Sequence, residues 1–234
     1  MALYAIADTH LSLGADKPMD VFGGWDRYVE RLEKNWRALI TPEDTVVIAG
    51  DISWAMKLEN TREDFRFLES LPGEKILLKG NHDYWWSTRT KMERFLEEEG
   101  LHSLKILFNN SYFRCGVHIC GAKGWPCDTS ERTDEKISAR ELGRLTASLS
   151  SAAEGTGERV AFLHYPPYGH QNQSLLMHRC LVENGVRRCY YGHLHAAAVR
   201  RAFCGTADGV DYRLISADSL HFCPVLVQKG PEKV

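Results

Sequence analysis

The chain has 234 residues, 44% of them apolar, with a formal net charge of -2. This is enough apolar material for a buried core and predicts one domain over residues 1–234. The balanced charge argues against a globally basic, nucleic-acid-binding surface, and no window approaches the roughly 18–20 apolar residues needed to span a bilayer.

The first half alternates short apolar runs with amphipathic segments, the rhythm of βαβ units. Strand Leu3 to Ala7 precedes a helix from about Trp25 to Leu39, in which Tyr28, Leu32, Trp36 and Leu39 recur at helical spacing before Thr41-Pro42 stops it. Strand Thr45 to Ala49 leads to a helix from about Glu59 to Leu71, ended by Pro72-Gly73. Strand Lys75 to Lys79 leads to a third helix, about Arg89 to Glu99, closed by Gly100. Leu104 to Phe108, Tyr112 to Cys115 and Val117 to Gly121 then follow at close spacing, so hairpin pairing is expected there. A helix from about Ile137 to Leu149, strands Arg159 to Leu163 and Arg188 to Tyr191, and late strands near Tyr212 to Ser216 and Val225 to Gln228 complete the reading. The mixture predicts an α/β fold, a two-sheet β-sandwich flanked by α-helices.

Met1 to Asp8 reads directly as a strand, with no basic head and apolar leader. The seven cysteines include no CxxC pair, so reduced thiols and a cytoplasmic location are expected, with Cys115, Cys120 and Cys127 in packing roles. Cys115, Cys120 and Cys127 are spaced too loosely to suggest a structural zinc site.

Residues with metal-ligand chemistry recur just past the predicted strands: Asp8-Thr9-His10, Gly50-Asp51, Gly80-Asn81-His82-Asp83, His164 and Gly192-His193-Leu194-His195. In open α/β sheets the loops at the carboxyl ends of strands converge, so residues distant in sequence can meet there. Carboxylate oxygens and imidazole nitrogens are the donors that hold hard-to-borderline divalent metals. The glycines before Asp51, Asn81 and His193 suit turns that need unusual backbone angles or close approach. A lone histidine after a strand usually binds nothing; the ordered set is what points to a metal centre.

In order, these segments match D-x-H, G-D, G-N-H-[DE], H and G-H-x-H, and the sequence resembles the calcineurin-like metallophosphoesterases from Asp8 to His195. The resemblance implies one metal held by Asp8, His10, Asp51 and His195 and another by Asp51, Asn81, His164 and His193, with Asp51 bridging. It implies His82 beside the scissile phosphate, as a general acid or a donor to developing charge. Two divalent ions suit a phosphoester, because they polarise phosphoryl oxygens and generate a bound hydroxide, the expected nucleophile. Mn²⁺ is the working choice, with Fe, Zn²⁺ and Ni²⁺ also matched to these donors.

Gly50-Asp51-Ile52-Ser53-Trp54-Ala55 departs from the GDxVDRG of the protein Ser/Thr phosphatases that share the fold, which counts against a phosphoprotein substrate. Trp54 stands where many cyclic-nucleotide phosphodiesterases of the family carry Asp or Asn; the two motif segments look like a bacterial-type group of predicted phosphohydrolases. The expected activity is hydrolysis of a small phosphomonoester or phosphodiester, a nucleotide among the candidates. Trp54 and Trp85 are candidates to stack a base, and Lys123, with Arg89 and Arg140, to meet outer phosphates. His102, His118, His170, His178 and His221 lack the strand-end glycine context and are not expected to bind metal. Two rival readings are an interaction scaffold, which loss of ligands would mark, and a nuclease, which would need a basic groove.

Overall fold

The computed structural model describes residues 1–125, 132–153, 155, 157–169 and 175–231, and Cys127 and His170 lie outside them. Strands β1 (Ala2–Ile6), β2 (Thr45–Ala49), β3 (Glu74–Leu78), β4 (Leu104–Ile106) and β11 (Val225–Lys229) form one sheet, in the order β11-β1-β2-β3-β4. Strands β5 (Tyr112–Arg114), β6 (Val117–Ala122), β7 (Glu158–Leu163), β8 (Arg188–Tyr191), β9 (Gly205–Ala207) and β10 (Val210–Leu214) form the other, in the order β5-β6-β7-β8-β10-β9. The inner pairs, β1 to β4 and β6 to β10, are parallel; β11, β5 and β9 close the edges antiparallel.

The central strands β2 and β6 are buried along their whole length because both of their faces are covered, whereas β5, β9, β10 and β11 carry exposed positions. Leu3, Ala5, Val47, Ala49, Ile76 and Leu78 point inward and meet Ile119, Val160 and Phe162 of the second sheet. Their alternates Ile6, Val46, Ile48 and Leu77 point outward, onto helices α1 (Tyr28–Leu39), α2 (Arg62–Ser70) and α3 (Arg89–Glu98). On the far side, Cys120, Ala161, Leu163 and Cys189 pack beneath α4 (Arg132–Ser150) and α5 (Leu175–Glu183). The result is helix, sheet, sheet, helix. In α1 the spacing of four puts Tyr28, Leu32 and Trp36 on one buried stripe, and each such side chain stabilises the fold by about 1.5–3 kcal/mol.

The two sheets also join through the backbone. The Ala7 amide donates to the Ile215 carbonyl at 2.8 Å and the Ala217 amide donates to the Ala7 carbonyl at 2.9 Å, so the end of β1 is stitched to the chain leaving β10.

The elements differ from the sequence reading at β4 and at α5. Only β5 and β6 make the expected hairpin; β4 crosses to the first sheet and runs parallel to β3. The helix α5 was not expected, although Met177, Cys180 and Leu181 give it a buried stripe. Cys115 and Cys120, expected in packing roles, are buried, as are Cys180 and Cys189, and Cys204 is exposed.

Candidate metal centre

Five strand ends converge on one edge of the sandwich. Asp8 and His10 follow β1, Asp51 follows β2 and Asn81 follows β3, while His164 follows β7 and His193 and His195 follow β8. Asp8, His10, Asp51 and His193 all have left-handed backbones, with φ of 60°, 44°, 49° and 74°. Residues other than glycine adopt such angles at a cost, and only where their surroundings fix them. Here the fixing bonds are explicit: the Asp8 amide donates to the Gly50 carbonyl and the His10 amide to the Asp51 carbonyl, each at 2.9 Å. The His193 amide donates to Asp8 Oδ2, also at 2.9 Å. Gly80 is required by close approach, because a Cβ there would collide with the amide and carboxylate of Asp51.

Two sets of donors result. Asp8, His10 and His195 form one group able to hold a metal ion, and Asp51, His164 and His193 form another, with the donor atoms of each group within 4.8 Å of one another. Asp51 Oδ2 lies 3.7 Å from His10 Nε2 and 3.4 Å from His164 Nε2, so it borders both. The amide oxygen of Asn81 accepts from His164 Nε2 at 2.7 Å and from His193 Nδ1 at 2.9 Å, which adds it to the second group. His195 Nε2 is buried without a hydrogen-bond partner, 3.4 Å from Asp8 Oδ1. Buried polar atoms are rarely left so, and nitrogen and oxygen donors converging from five loops fit divalent ions of the Mn²⁺, Fe or Zn²⁺ type.

The electrostatics agree with a site built for cations. Burial raises the Asp8 and Asp51 carboxyls, but the His195 and His164 rings set against them outweigh it and hold both below the usual range. Burial lowers His164 and His195, yet Asp51 and Asp8 lift the first to about 9, and Asp218 and Asp8 lift the second to about 10. His10 and His193, where burial dominates, fall to about 4. Without metal, the two carboxylates are thus balanced by two imidazolium rings.

Several supporting residues gave no separate signal in the sequence. Asp83 is fully buried and accepts from the amides of Ile52, Ser53 and Gly80 at 2.8, 3.3 and 2.7 Å and from Trp85 Nε1 at 3.0 Å, tying the Asp51 loop to the Asn81 loop. Burial, with the nearby Asp51 charge, raises its pKa to about 6 against the pull of those donors. Asp64, also buried, accepts from the Leu13 amide at 2.7 Å and from Ser53 Oγ. The pattern G-N-H-D included Asp83 without indicating its task. Asp64 and Asp218 lie outside any motif, and only the fold brings them in.

Beside the donors, the His82 amide donates to Asp51 Oδ1 at 2.7 Å, and His82 Nδ1 is buried without a partner. Its ring is 4.6 Å from that of Trp54, which stacks on His10 at 5.0 Å and 21°. Trp54 is half-buried at this edge, with Lys17 Nζ 5.4 Å from its ring centre. Trp85, expected at the substrate, is instead a core residue: it is 2% exposed, packs on Phe65 at 5.1 Å and spends its N–H on Asp83. Lys123 lies to one side of the donors, with Nζ 4.2 Å from the Trp125 ring centre and 5.2 Å from that of Tyr165, whose ring is 4.3 Å from His193. Burial, together with the surrounding cations Lys79, Arg144 and Arg140, lowers it to about 8 against the pull of Glu141. Arg89 pairs with Glu93 at 2.7 Å on the exposed face of α3, and Arg140 is exposed on α4. His178 bridges Tyr212 Oη at 2.6 Å and Asp208 at 2.8 Å, a structural tie.

No curated protein matches the chain in sequence. Among solved structures, a phosphopantetheinyl hydrolase from Mycobacterium tuberculosis is similar with a TM-score of 0.57 and 15% identity over 100% of this chain and 98% of its own. A protein of unknown function, AQ665 from Aquifex aeolicus, is similar with a TM-score of 0.50 and 16% identity over 96% of this chain and 95% of its own. At these identities the likeness is one of fold. Among the described residues no helix is long and apolar enough to cross a membrane. The family model for calcineurin-like phosphoesterases matches residues 1–197, the span that carries both donor groups, and the chain therefore belongs to that family and is a metal-dependent phosphoesterase.

Proposed function

We propose that the protein is a dinuclear phosphohydrolase for a small phosphomonoester or phosphodiester. Asp8, His10, Asp51 and His195 hold one ion, and Asp51, Asn81, His164 and His193 hold the other. The observation that carries this reading is the position of Asp51 Oδ2, within 3.7 Å of a donor in each group. Two bound ions would supply charge neutralisation, Lewis-acid polarisation of the phosphoryl group and a lowered pKa for water.

The chain supplies the rest. His82, beside Asp51 with its ring against Trp54, is placed to give a proton or a hydrogen bond to the leaving oxygen. Its backbone is anchored on Asp51, so the ring keeps a fixed relation to the donors. Trp54 offers a flat face next to His82 and would stack a ring of the leaving group, for roughly 1–3 kcal/mol if that ring is a nucleobase. Lys123 is the candidate for an outer anionic group.

The test is a substrate screen of the Mn²⁺-loaded protein against nitrophenyl mono- and diesters, nucleotides and a phosphopantetheinyl ester, the last because the similar Mycobacterium tuberculosis protein is a phosphopantetheinyl hydrolase. Turnover of one ester class, lost on chelation and restored by Mn²⁺, is expected. Full metal loading without turnover of any of them would favour a non-catalytic scaffold.

A further inference from the structure

The loop after β10 reaches back to the donors through one residue, Asp218. Its Oδ1 accepts from His195 Nδ1 at 2.9 Å and its Oδ2 accepts from the Ala196 amide at 3.0 Å. Both oxygens are therefore committed to holding two consecutive residues in a fixed orientation. A carboxylate can only accept, so the shared hydrogen sits on His195 Nδ1. The other ring nitrogen, Nε2, is buried without a hydrogen-bond partner and lies 3.4 Å from Asp8 Oδ1.

Other candidate histidines are oriented differently. The His164 ring is fully buried and its Nδ1 meets the Ala49 carbonyl at 3.2 Å, and the His10 ring is clasped by Trp54 and Trp25. The side chain of His195 is 28% exposed, so packing restrains it less and the Asp218 contact matters more. Asp218 is also held in register with Asp8: the Ala217 amide bonds to the Ala7 carbonyl, and Ser219 Oγ donates to the Ser216 carbonyl at 2.7 Å. It lies beyond residue 197, where the family match ends.

We infer that Asp218 is a positioning residue that fixes His195 with its Nε2 turned toward Asp8 and so sets the affinity of the Asp8–His10–His195 site. The inference rests on the two-ion reading above. A carboxylate behind a ligating imidazole fixes its tautomer and raises its basicity, and removing such a partner typically costs about 10–100-fold in metal affinity. The effect falls on one site, because Asp218 touches no residue of the Asp51–Asn81–His164–His193 set in any described hydrogen bond.

The experiment is calorimetric titration of metal-free wild type, Asp218→Asn and Asp218→Ala with Mn²⁺. Wild type binding two ions, with one site weakened about 10–100-fold in the variants and the other changed by less than about twofold, is the expected result. Two unchanged affinities in the variants, or equal weakening of both, would overturn the role of Asp218 and leave the two-ion reading standing. Wild type that binds fewer than two ions would overturn both. Should the variants not fold, histidine ¹⁵N spectra of the Zn²⁺-loaded wild type decide the matter: His195 must appear protonated at Nδ1 and metal-bound at Nε2, and the reverse assignment rejects the inference.

Discussion

His82 sits close to the donors yet belongs to neither group, and this is what separates its role from theirs. Its amide is tied to Asp51, but its side chain makes no described bond to Asp8, Asn81 or the other histidines. Replacing it with Ala keeps the backbone anchor and removes only the ring. His82→Ala is expected to lower kcat by roughly 10²–10⁴, the usual worth of a positioned acid or base, with metal content by elemental analysis unchanged. Equal activity in the variant would remove His82 from the chemistry. Trp85 teaches the opposite lesson at the same scale. Its place close to the motif residues made it a plausible stacking partner, but the indole is enclosed and bound to Asp83. Sequence proximity to a motif cannot tell which way a side chain points, because the turn after β3 sends neighbours to opposite sides.

At the scale of elements, the strand-end glycines connect sheet geometry to chemistry. Gly80 lies so close to Asp51 that an added methyl group would meet the backbone as well as the carboxylate, and backbone cannot swing aside. Gly80→Ala is expected to displace Asp51, reduce metal content to less than about one ion per protein and destabilise the fold by about 1–3 kcal/mol, read from elemental analysis and denaturant melts. Normal metal loading would show that the strand ends yield more than their packing implies. The same elements explain what was legible beforehand. β2 was read with its bounds, Thr45–Ala49, because five apolar or β-branched residues stand between a polar turn and Gly50-Asp51. Each donor loop follows a strand that a run of buried apolar residues marks plainly. The helix α5 was obscured because the apolar positions in its LLMHRCLVE run crowd more than one face, which blurs the helical period. The placement of β4 beside β3 was hidden because a connection between sheets and a hairpin begin with the same turn residues. Asp64 and Asp218 could not be found at all, since their meaning comes from contacts 51 and 23 residues away.

For the whole molecule, the metal-free centre is a proton-filled substitute for the loaded one. His164 and His195, held at about 9 and about 10, carry protons near neutrality, on edges that face Asn81, Asp51 and Asp8. Loading is expected to release about two protons per molecule at pH 7, measurable with an indicator dye in weak buffer, and affinity should rise with pH. The stability sign follows from the raised values. Their contribution to the metal-free fold is complete below about 6.5, the ordinary histidine value, and is lost as pH climbs through about 9 and 10. The melting temperature of the metal-free protein should therefore drop by about 5–10 °C between pH 7 and 10, while the loaded protein changes less. Parallel curves for the two forms would show that these rings do not hold the protons assigned to them.

The stitch at Ala7 gives the sandwich a spine on the side where the donors gather. The opposite margin, at the amino ends of the parallel strands, is tied by side chains instead: Arg188 of β8 donates to the Val227 carbonyl of β11 at 2.7 Å, and Arg114 of β5 pairs with Glu74 of β3 at 2.8 Å. Ties of that kind vanish when one side chain is exchanged, whereas the backbone stitch beside the donors is indifferent to which side chains stand there, so the separations on which the chemistry depends are insulated from surface substitution.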